Sequence, residues 1–63
     1  MSDATRNAVV RIAHMSSEKL LREADRRVAV WHRIQGVELQ RLNTFIWRLI
    51  VNELQKRGEE VPS

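Results

Sequence analysis

The segment VELQRLNTFIWRLIVNELQKRG, residues 37–58, constrains this chain more than any other stretch. Wound as a helix at about 100° per residue, it leaves only Arg41, Thr44, Arg48, Asn52 and Gln55 on a polar strip. Leu42, Phe45, Ile46, Trp47, Leu49, Ile50, Val51 and Leu54 spread round most of the circumference. A helix apolar on so many sides must be buried on more than one of them. A chain of 63 residues is short of interior, since it buries only about 60% of its unfolded surface. Its one other clear helix can cover a single face. A second copy is the natural cover for the rest, so the sequence predicts an obligate homodimer cored by Leu42, Ile46, Leu49, Ile50 and Leu54. Gly58 ends the helix, and EEVPS, 59–63, reads as a flexible tail on a single domain spanning 1–58.

The other clear helix is SSEKLLREADRRVAVWHRIQ. Leu20, Leu21, Ala24, Val28 and Trp31 form one narrow stripe, with Lys19, Arg22, Arg26 and Arg33 opposite. Ser16 or Ser17 suits the N-cap, Glu18 suits the positive first turn, and Gly36 suits a left-handed end. Glu18 with Arg22 and Glu23 with Arg27 stand at ion-pair spacing on the exposed side.

Ahead of it, NAVVRIAH (7–14) carries two periods at once. As a helix it joins Ala8, Val9, Ile12 and Ala13 in one stripe. As a strand it points Ala8, Val10 and Ile12 one way and Asn7, Val9, Arg11 and Ala13 the other. A helix in phase with the next would run Ala8, Ile12 and Met15 into Lys19 and Arg22, and the period breaks at Ser16 and Ser17. Alternation and the β-branched residues therefore favour a strand, which needs the same strand of a second chain beside it.

Composition removes several classes of function. With no cysteine there is neither a disulfide framework nor a thiolate zinc site, which fits a reducing cytosol. The runs VAVW, FIW and LIV fall far short of the roughly 18 residues of a membrane span, and the first fifteen residues lack a secretory apolar core. A cytoplasmic protein without a membrane role is the expectation. His14 and His32 have no metal-spaced partner and no glycine-rich phosphate loop is present, so neither an enzyme nor a cofactor nor a metal is expected. The net charge of +3 sits in residues 1–35, and a basic half repeated about a two-fold axis suits phosphate.

A strand, a capped amphipathic helix, a glycine turn and a more apolar helix together resemble the ribbon-helix-helix family of DNA-binding proteins. VVRIAHMSSEKLLREAD is similar to that family's strand and first helix, and RLNTFIWRLIVNEL to its second helix. The first helix is longer here than is usual in the family, and GVELQRLN lacks the family's Ser or Thr before the second. The resemblance implies a mainly α ribbon-helix-helix fold, a short N-terminal strand followed by two helices in an intertwined homodimer. Its implied function is sequence-specific binding of double-stranded DNA, as in a small repressor, antitoxin or plasmid or phage regulator. A two-stranded ribbon would enter the major groove, with Asn7, Val9 and Arg11 meeting base edges. Gln40, Arg41 and Asn43 would meet phosphate. If residues 5–14 are helical instead, the chain is an all-α helical hairpin dimer, a four-helix bundle that binds another protein or structured RNA. Trp31 and Trp47 are then candidate anchors.

Overall fold

Ser16 is the corner on which the N-terminal third of the molecule turns. Its backbone is extended and its hydroxyl accepts the Lys19 amide proton at 3.2 Å, capping the helix that follows. The computed structural model describes residues 3–60. They form α1 (Asp3–His14), α2 (Ser17–Val30), a 3₁₀ turn (Trp31–Arg33) and α3 (Val37–Lys56). No strand occurs among the described residues.

The mainly α class holds, but the ribbon does not: the strand expected over 7–14 is the last eight residues of the twelve-residue α1. Several local causes favour the helix. Asp3 sits in the positive first turn and Arg11 and His14 in the negative last turn, while Ala4, Ala8 and Ala13 are the best helix formers. The alternation of Ala8, Val10 and Ile12 is incidental, because Ile12 is buried while Val10 remains 49% exposed. The spacing that matters is Thr5, Ala8, Ile12 and Met15, the positions of α1 and its end that lose exposure to the rest of the chain. The break at Ser16 is real, but it separates two helices, with the Met15 amide donating to the Ile12 carbonyl at 3.1 Å. The intertwined ribbon dimer falls with the strand, and the all-α alternative is compatible with the three helices.

Within α2 the two expected ion pairs form, Arg22 to Glu18 at 2.8 Å and Arg27 to Glu23 at 3.3 Å. The helix stops at Val30, earlier than Gly36, and its end tightens into the 3₁₀ turn closed by Ile34 N–H to Trp31 O. Gly36, with φ of 102°, stands directly before α3 instead. Gly58 ends α3 as expected, at φ 80°. Its amide donates to the Gln55 carbonyl and that of Glu59 to the Leu54 carbonyl, which is the Schellman closure.

Helix α3 lies in the middle and packs on both α1 and α2. Ile12, Leu20, Ala24, Ile50 and Leu54 are the enclosed apolar residues, flanked by half-buried Met15, Leu21, Ile46, Trp47 and Leu49. The molecule is a slab, 32 by 28 Å across and 14 Å through. All of its apolar interior lies toward the end where α1 meets α2.

A candidate interaction surface at the open end of the hairpin

The α2–α3 hairpin has one closed end and one open end. At the closed end Arg57 ties three elements together. Its guanidinium meets Glu53 at 2.7 Å, Ser17 Oγ at 3.1 Å, and the Ile12 and Ala13 carbonyls at 3.4 and 3.0 Å. Those carbonyls belong to the last turn of α1, where the end of the helical ladder leaves acceptor capacity and the negative end of the helix favours a cation.

Midway along the hairpin, Asn43 and Arg27 form a polar cross-link. Arg27 Nη1 donates to Asn43 Oδ1 at 3.0 Å, and Asn43 Nδ2 donates to the Arg27 carbonyl at 3.2 Å. Asn43 is buried, so this pair satisfies polar groups that would otherwise be costly to enclose. Arg27 Nε is shielded without a partner.

Beyond the cross-link the apolar pattern continues but nothing covers it. Val28, Trp31, Val37, Leu39, Leu42 and Phe45 keep between 41% and 62% of their surface exposed. At 100° per residue the four that belong to α3 fall on two sides of it, Leu39 and Leu42 on one and Val37 and Phe45 on the other. Leu39 and Leu42 continue the line of Ile46 and Leu49 toward the side that α1 covers farther down. On the other side, Trp31 and Thr44 join two hollows along the α2–α3 seam. One, of about 400 Å³, is lined by Val37, Phe45, Arg41 and Arg48, and the other, of about 490 Å³, by Val28, His32, Asn43 and Trp47. Arg41 and Arg48 are exposed, and neither has an ion-pair or hydrogen-bond partner among the described residues.

The residues named from the sequence are scattered by this arrangement. Asn7 and Arg11 lie one turn apart on the outside of α1, while Val9 faces about 160° round the helix from Arg11 and borders Leu49. The three therefore form no row of base readers, which corrects the ribbon expectation. Gln40 donates to the Ile34 carbonyl at 3.1 Å and fastens the inter-helix turn. Asn43 spends both polar atoms inside the chain, so of the expected phosphate set only Arg41 faces outward freely. Among the expected dimer core, Ile50 and Leu54 lie in the chain's own interior, Ile46 and Leu49 are half-buried, and Leu42 is exposed. Sequence reasoning missed Arg57 and the Arg27–Asn43 link. For Arg57 the signal was its place one turn after Glu53 beside Gly58; for the link no local pattern announces it.

Among the described residues no group of three His, Asp or Glu side chains converges as a metal site, and no helix is long and apolar enough to cross a membrane. No family model matches the chain, and no curated protein or solved structure matches it.

Proposed function

We propose that this chain is an all-α interaction protein that self-associates through the uncovered side of α3, where Leu39 and Leu42 lead into Ile46 and Leu49. The exposure of Leu39 and Leu42, 59% and 56%, carries the reading. Large apolar side chains scattered singly on a surface are ordinary, but a row continuous with the core is an unfinished interface.

A dimer built this way lets a second α3 lie in the space that α1 is too short to fill. The test is sedimentation together with thermal melting over a hundredfold range of concentration. The expected result is the mass of two chains and a melting temperature that rises with concentration. Leu42→Asp should shift the protein toward single chains, because an unpaired carboxylate in an apolar contact costs several kcal/mol, as an order of magnitude. A folded single chain at micromolar concentration, melting at one temperature throughout, defeats the reading.

A further inference from the structure

We propose that the groove along the α2–α3 seam, on the side of α3 away from Leu39 and Leu42, docks an acidic amphipathic helix of another protein. The floor of the groove is apolar and aromatic: Trp31 stands at its centre, between Val28 and Trp47 in one hollow and Val37 and Phe45 in the other. No Asp or Glu lines either hollow, whereas Arg41 and Arg48 line one lip and His32 the far end. Seven residues of helix separate the two arginines, about 10 Å along the axis. A partner helix with carboxylates at the same seven-residue spacing and apolar side chains between them meets both the floor and the lip. Helix-in-groove docking of this kind uses apolar anchors three and four residues apart, and opposite charge at the rim sets orientation and encounter rate.

A second copy of this chain does not supply such a helix. Among the described residues its only exposed carboxylates at that spacing within one helix are Glu18 and Asp25 of α2, with Arg22 between them and Arg26 directly after Asp25. Glu18 is already paired with Arg22. The phosphate backbone of a nucleic acid suits the arginines but leaves the aromatic floor unused. The proposal is independent of the dimer described above, since it uses the opposite side of α3.

Selection of a random library of fifteen-residue peptides against the intact protein tests this, with the Arg41→Glu/Arg48→Glu double variant as counter-target. Both tryptophans of the chain, Trp31 and Trp47, line the groove, so binding is read as a change in their emission. The expected peptides carry Asp or Glu at seven-residue spacing with aromatic or aliphatic residues between. The double variant should bind them at least about tenfold more weakly, Lys-substituted peptides should recover affinity for it, and Arg33→Glu, outside the groove, should bind as the wild type does. Circular dichroism confirms that each variant is folded. Peptides without acidic enrichment, equal binding to the double variant, no selective binder, or tighter tryptophan-sensitive binding of an RNA hairpin each overturn the proposal. Sedimentation of the same samples reports the dimer separately: a monomer that still binds acidic peptides removes the self-association reading and leaves this one intact.

Discussion

The two ends of the α2–α3 hairpin are built from the same residue types and reach opposite outcomes. At the closed end Leu20 and Leu54 are fully enclosed, because a third helix lies over them and Arg57 holds that helix by its last carbonyls. At the open end Leu42 and Trp31, no less apolar, face outward. Hydrophobicity therefore does not separate core from surface in this chain; the reach of α1 does. What a short chain leaves uncovered is set by where its last available element lies, and the remainder is open to other molecules.

The sharpest way to break this contrast is Leu54→Ala. The side chain has no exposed surface, and removing it should cost about 2–5 kcal/mol, read as a lowered denaturation midpoint. A loss under about 1 kcal/mol would mean the closed end is not the stabilising one. Arg57→Ala comes next. It removes charged hydrogen bonds to Ser17 and to two α1 carbonyls, each of a kind worth about 1.5–3 kcal/mol before solvent screening. Since the side chain keeps 22% exposure, a net loss of about 2 kcal/mol is expected, and amide exchange should speed up in α1 before it does in α3. The smallest effect belongs to the open end. Leu39→Gln should change the stability of dilute protein by less than about 0.5 kcal/mol while weakening self-association in sedimentation; a large loss of stability would place Leu39 in the core.

Much of the closed end was legible in the sequence. A serine cap at 16 or 17, the Glu18–Arg22 and Glu23–Arg27 pairs, the glycine end of α3 and the stripe containing Leu20 and Ala24 all follow from local spacing, and the structure selects Ser16 as the cap. The state of residues 7–14 did not, because Ala8, Val10 and Ile12 satisfy a period of two while Thr5, Ala8, Ile12 and Met15 satisfy a helical one. The end charges and alanines of α1 lean toward the helix, and the packing of Ile12 against α3 uses the helical period. The open end divided in the same manner. The stripe position of Val28 and Trp31 was plain, but nothing local told that α1 would stop short of them. Asn43 was expected to meet phosphate because the family resemblance placed it near the start of the second helix, and nothing local pointed to its partner, Arg27, which lies sixteen positions away.

The Arg57 link joins residues 44 and 45 positions apart, whereas the Arg27–Asn43 link spans sixteen. Closing the longer loop costs about 1 kcal/mol more in chain entropy, so the expected order of folding is hairpin first and α1 last. On that order Trp31, Leu42 and Phe45 stand exposed while α1 is still unformed, so a refolding chain shows its widest apolar surface before its own interior is closed. Pulsed hydrogen exchange during refolding checks the order: α1 amides should be the last protected, and their early protection would reverse it.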